Sequence, residues 1–131
     1  MTTPFWCLLV VAFLPYMLAL GGLYFRIKQL GHWDNDNPRG QYAQLEGVGW
    51  RVWASQQNAW EALGLFTATV AVAHLAGADA EKSALAAIIF LVTRLLHPVL
   101  YMANLATLRS IDVTVGLCAC MYLFTLAVGA S

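Results

Sequence analysis

The sequence predicts an all-α membrane protein, an up-down bundle of four transmembrane helices. Three observations carry this. Of 131 residues, 60% are hydrophobic and only 11% charged, against roughly 45–50% apolar and about 25% charged in soluble domains. The mean hydropathy is +0.65. A chain this short could not hide so much apolar surface in a water-facing fold, because small domains bury a modest share of their area. The apolar residues also fall into four blocks, each near the roughly 20 residues needed to cross the hydrocarbon core.

The first block covers residues 5–25 and the second 48–76. The third covers 83–106 and the fourth 113–130. No lysine or arginine precedes the first block, which is also longer than a signal-peptide core, so it is expected to remain as a helix. Pro15 lies inside it and predicts a kink that neighbouring helices can accommodate. The connection over 26–47 is long and polar, and its Asp34-Asn35-Asp36-Asn37-Pro38-Arg39 stretch reads as a turn. The connections at 77–82 and 107–112 are short, which makes consecutive helices antiparallel neighbours. A single domain is expected.

Charge and punctuation exclude several functions. The formal net charge is +0, without the basic signature of a nucleic-acid partner. No glycine-rich phosphate loop, HxxxH pair or carboxylate cluster occurs, so no metal site is expected. Cys7, Cys118 and Cys120 sit in apolar runs with no CxxC and read as small buried hydrophobes. His74 stands alone near one end of the second block. Arg26, Lys28, Arg39, Arg51 and Arg109 gather on one side of the bundle, with only Lys82 opposite. The positive-inside rule then puts both termini outside the cytoplasm, with Trp33, Trp50 and Trp53 at the cytoplasmic interface.

Glu61 and Arg94 interrupt the second and third blocks. Each costs about 2.5–3.5 kcal/mol to insert unless paired or hydrated. In an antiparallel pair joined by a tight turn, residues at equal depth have numbers with a constant sum. Glu61 is then level with Arg94, Asn58 with His97, and Arg51 close to Asn104. Asn58 lies three residues before Glu61, and Arg94, His97 and Tyr101 fall at i, i+3 and i+7, so each set shares a helical face. Two matched stripes describe either an interhelical ion pair that fixes the bundle or a polar ligand site. The number of polar groups exceeds what one clasp needs and favours the site.

On these residues the chain resembles the MAPEG superfamily, the membrane-associated proteins in eicosanoid and glutathione metabolism, and most of all its compact bacterial members. The resemblance rests on Asp34–Arg39, on Arg51 through Asn58 to Glu61, and on Arg94 through Tyr101 to Arg109. It implies a homotrimer in the bacterial inner membrane that binds glutathione between subunits and meets a lipophilic small molecule or lipid from the bilayer. The implied activity is a glutathione transferase or peroxidase acting on lipophilic electrophiles or lipid hydroperoxides. The alternative is a non-catalytic lipid-binding or scaffold member. Arg94 and Tyr101 match catalytic positions, and Arg51, Asn58, Glu61, Arg94, His97 and Tyr101 match glutathione-binding ones. Arg94 and Arg51 would hold the carboxylates of glutathione or favour its thiolate, and Glu61 and Asn58 would engage its amino end. The chain departs from the pattern at Ala54, where an arginine is usual, and at His97, where many members have tyrosine.

Overall fold

A computed structural model describes residues 1–130, which form five helices and, among the described residues, no strand. Four are long: α1 (Thr3–Leu30), α3 (Gly47–Leu75), α4 (Ala80–Met102) and α5 (Ala106–Ala130). The fifth, α2 (Pro38–Ala43), is one and a half turns within the first connection. Helices α1, α4 and α5 are long and apolar enough to cross a membrane. Helix α3 has the length but carries Arg51, Gln56, Gln57, Asn58 and Glu61 in its first half.

The core explains the alignment of the long helices. Helix α1 buries Cys7, Val11, Pro15, Gly22 and Arg26, a recurrence near every fourth residue that marks one face. Helix α5 does the same with Asp112, Gly116, Ala119, Cys120, Leu123 and Ala127. Phe66 of α3 stacks on Phe90 of α4 with ring centroids 4.1 Å apart. Apart from that pair the core is made largely of small residues, while Phe13, Tyr16, Leu20, Ile88, Val92, Leu95 and Phe124 face outward. Large side chains outside and small ones inside are the economical arrangement where lipid is the solvent, since close backbone approach replaces hydrophobic collapse as the packing force.

The helix ends are set by local chemistry. Helix α1 continues through Pro15 as one element and stops at Gly31, whose φ of 78° is left-handed and lets its N–H reach the Ile27 carbonyl. In the loop that follows, Asp34 Oδ1 accepts from the N–H groups of Asp36 and Asn37 at 2.9 and 3.1 Å. Asn37 then caps α2 by accepting from Gly40 N–H at 3.1 Å, with Pro38 in the first helical position. The expected turn is present, and it launches a short helix that the polar composition did not suggest. Asp79 caps α4 by accepting from Lys82 N–H at 2.8 Å.

Helix α5 starts at Ala106 rather than near 113. Asn104, at φ 59°, turns the chain within three residues, so Arg109 and Asp112 belong to the helix and not to a connection. Cys118 is exposed, unlike Cys7 and Cys120. Two helical steps separate it from Cys120, about 200° around the axis, so both cannot face the core.

The packing order is the feature that most shapes the site. Helix α1 packs on α3 and α4, α5 packs on α3 and α4, and the backbones of α1 and α5 stay apart. Helices α3 and α4, although joined by the shortest turn but one, therefore meet across the bundle's diagonal. Phe5 against His74 at one end and Arg51 against Met102 at the other confirm the up-down alternation. Phe66, fully buried on that diagonal, is expected to support the whole bundle. Phe66→Ala should cost about 3–5 kcal/mol through the cavity it leaves, measured by denaturant titration in detergent.

Candidate functional site

Arg94 lies two-thirds of the way along α4 and points into the bundle, 3% exposed. Its helix places it there: Ala87, Phe90, Arg94 and His97 follow one buried face. A guanidinium so placed requires a counter-charge, since an isolated ion in a low-dielectric interior carries a penalty of several kcal/mol. The acid that meets it is Asp112 of α5. Nη2 of Arg94 lies 3.4 Å from Asp112 Oδ2. The same oxygen is 3.1 Å from Nδ1 of His97. Nη1 donates to Asn58 Oδ1 at 3.0 Å, and Nε lies 3.4 Å from Thr93 Oγ1. One buried guanidinium thus joins α3, α4 and α5.

Gly116 allows this assembly. It sits one turn beyond Asp112, and a Cβ there would lie 2.9 Å from Thr93 Oγ1 and 3.2 Å from Arg94 Nη2. The bare backbone of α5 is what lets the guanidinium sit beside it.

The expected ion pair between Glu61 and Arg94 does not form. Glu61 is exposed on α3 and makes no hydrogen bond or ion pair among the described residues. The reason is rotational. Ala59 faces the core, and two further residues turn the chain by about 200°. The depth match holds all the same. Asn58, Glu61 and Arg94 line one crevice of about 200 Å³, walled by Ala62, Leu65, Phe90, Val113 and Leu117. Its polar groups converge from α3 and α4, and its exposed rim is formed by Glu61 and Leu65 of α3 and Val113 and Leu117 of α5.

Three other expected residues lie elsewhere. Arg51 donates from Nε to the Met102 carbonyl at 3.2 Å, capping the last turn of α4, where a cation meets the negative end of the helix dipole. Tyr101 stands edge-on to His97 at 5.6 Å and lies under the guanidinium of Arg109 at 4.2 Å, so it packs beside the buried cluster and not in the crevice. His97 is buried against Asp112. Asp112 itself was missed because Thr107–Asp112 reads as a polar connection. The signal was present: Asp112, Gly116, Cys120, Leu123 and Ala127 recur on one helical face.

A second polar group lies nearer the loops. Arg26 is buried and stacks on the Tyr42 ring at 4.4 Å, and Tyr42 in turn lies parallel to Trp53 at 5.9 Å. The Tyr42 ring also covers Gly22, where a Cβ would come within 2.9 Å of it. Helix α2 is thereby pinned against α1 and α3. Trp50 and Trp53 contact each other at the same end of the bundle.

If Asp112 is the counter-charge of Arg94, the two acids differ sharply in their effect on stability. Asp112→Ala should destabilise the subunit by about 3–5 kcal/mol, because it strands a buried cation. Glu61→Gln should change subunit stability by less than about 1 kcal/mol, as expected of an exposed, unpaired group. Parallel denaturant titrations of the two variants check this.

No curated protein and no solved structure matches this chain. The sequence model of the MAPEG family matches residues 3–129, nearly the entire chain. The chain belongs to the MAPEG family, a membrane family of glutathione and eicosanoid metabolism.

Proposed function

We propose that this chain is a membrane-bound glutathione-dependent transferase or peroxidase acting on lipophilic electrophiles or lipid hydroperoxides. The observation that carries the reading is the crevice, in which a buried guanidinium, an amide and an unpaired carboxylate converge at mid-bundle depth beside apolar walls. The residues fit the tripeptide thiol in kind. Glu61 suits its ammonium group and Asn58 its backbone amides. Arg94 Nη1 suits an acceptor near the reacting sulfur. Glutathione supplies the nucleophilic thiol when bound. The protein's part is to orient it and to favour the ionised sulfur with a preorganised donor. The lipophilic partner would reach the apolar side of the crevice through the bilayer.

A crevice of about 200 Å³ is smaller than the roughly 300–1,000 Å³ typical of ligand pockets. At Glu61 its rim borders the most polar surface of the long helices. Gln57, Trp60, Glu61 and Gly64 of α3 all face outward, and lipid is a poor neighbour for an unpaired carboxylate. We infer that α3 is a fourth membrane-spanning helix and that a second copy of the chain covers this face and completes the site. A trimer closes such a heterologous contact into a ring. The loop end carries Arg26, Lys28, Arg39, Arg51 and Arg109, and the other end Lys82. We therefore place the loop end at the cytoplasmic side of the bacterial inner membrane, with both termini outside the cytoplasm.

A second reading, a non-catalytic lipid-binding or scaffold member, draws on two contacts. Asp112 already neutralises Arg94, and Arg51 is spent on the end of α4. A thiolate receives less electropositive help than an unpaired arginine would supply.

Calorimetry and turnover separate the readings. In mild detergent, glutathione should bind the intact oligomer and react with a model electrophile. Arg94→Ala should lower kcat/KM by about a hundredfold or more, as loss of one charged donor in a dry site does. Absence of binding with the oligomer intact removes the enzymatic reading in favour of the second. The covered face is tested separately. Gly64 has open space where a side chain would stand, so Gly64→Trp should break the oligomer into single subunits in mild detergent, read by native mass spectrometry. The exposed Leu85 of α4, changed to Trp, should not.

A further inference from the structure

The carboxylate of Asp112 is used on one oxygen only. Oδ2 takes both Arg94 Nη2 at 3.4 Å and His97 Nδ1 at 3.1 Å, while Oδ1 has no hydrogen-bond partner among the described residues. Asp112 is 6% exposed, yet its Oδ1 is not fully enclosed. Asp112 lines a second opening, a groove of about 300 Å³ between α4 and α5 to which no other helix contributes among the described residues. The buried Thr93, Leu100 and Asp112 form its floor, and the exposed Leu96, Ile111 and Val115 its walls. The groove follows about 10 Å of the seam, along residues 93–100 of one helix and 108–115 of the other. By helical spacing it lies on the side of that seam away from the crevice, whose wall on α5 is Val113 and Leu117. The Arg94–Asp112 pair stands between the two openings.

A carboxylate oxygen left without a donor beside lipid is costly, and acyl chains carry no donor. Water is a poor partner here, because an ordered water needs two or more polar neighbours. The floor offers it Oδ1 alone: Thr93 Oγ1 already donates to the Phe90 carbonyl at 2.7 Å and faces Arg94 Nε at 3.4 Å. A cation fits no better. Arg94 already balances Asp112, so an ammonium group would remain a net charge in an apolar groove. An anion would meet the carboxylate directly. A neutral O–H on an apolar body satisfies the oxygen and covers the walls at once. We propose that the α4–α5 groove is a membrane-facing binding site for a lipophilic molecule with one neutral hydroxyl or hydroperoxyl group, which donates to Asp112 Oδ1. The donation goes to the oxygen that Arg94 and His97 leave free, so binding keeps the buried pair intact. The site does not depend on the glutathione reading, since no group of the crevice takes part in it.

The test is photolabelling of the full-length protein in phosphatidylcholine nanodiscs, with a long-chain alkanol that carries a diazirine in its chain. Adducts are mapped by tandem mass spectrometry. They should concentrate on residues 93–100 and 108–115. Dodecanol should protect these residues at a mole fraction in the membrane at least about tenfold below that of its methyl ether, the order of one hydrogen bond to a charged group. The ether has the same chain and no donor. Dodecanoate should protect no better than the ether. Val115→Trp fills the groove from its lipid side and should remove the adducts, whereas Met121→Trp, exposed on the same helix away from the groove, should leave them. Equal protection by alcohol and ether shows that a chain alone fills the groove, and overturns the proposal. Adducts spread over the lipid-facing surface, or unchanged by Val115→Trp, overturn it as well. If Val115→Trp does not assemble, the competition between alcohol and ether on the wild-type protein decides alone.

Discussion

The structure turns on one buried guanidinium. Arg94 sits where three helices meet, in a chain whose other surroundings are apolar, and its charge must be matched by groups that come from neighbouring helices. Asp112 supplies the opposite charge, Asn58 an acceptor, and His97 holds the carboxylate from the far side. Each of those residues belongs to a helix whose remaining contacts are mostly small and apolar, so the polar knot sets the relative rotation of α3, α4 and α5 in a way that alanine, glycine and cysteine contacts could not. Gly116 shows how tight the requirement is: a methyl group there would stand 2.9 Å from Thr93 Oγ1 and 3.2 Å from Arg94 Nη2.

The same knot explains why the two acids of the site have different lives. Asp112 is 6% exposed and meets both Arg94 and His97 through Oδ2, so its charge serves the fold and the orientation of Arg94. Glu61 is left over. It stands on the outer face of α3 beside Gln57 and Gly64, a surface that makes sense against protein and poor sense against lipid. The most polar of the long helices is thus the one with the most to gain from a second copy, and Glu61 of that face stands on the rim of the crevice. Structure and site share a border there.

Much of this was legible from residue order. The long helices, the polar connection with its Asp-Asn turn and the depth match of Glu61 with Arg94 all follow from block lengths and helical spacing. Asp112 was harder to read, because a polar run at a helix start resembles a loop, and only the left-handed Asn104 reveals how short the turn is. The pairing of Arg94 was harder still. Its natural partner by depth was Glu61, but depth says nothing about rotation around the helix axis. Arg51 illustrates the same limit: it lies near the expected level, yet its side chain reaches a main-chain carbonyl of α4.

By itself the sequence determined that the chain is helical, that lipid is its main solvent, that one end is basic, and that charges at 61 and 94 needed an explanation. These are properties of composition and of position along a single helix, and they survive any arrangement of the helices. Which acid neutralises Arg94, and which is left facing outward, was decided only when α5 came to lie beside α4 and α3 fell on the diagonal. An ion buried away from water takes whichever counter-charge can be brought within a few ångströms, and that distance exists only after the helices have packed.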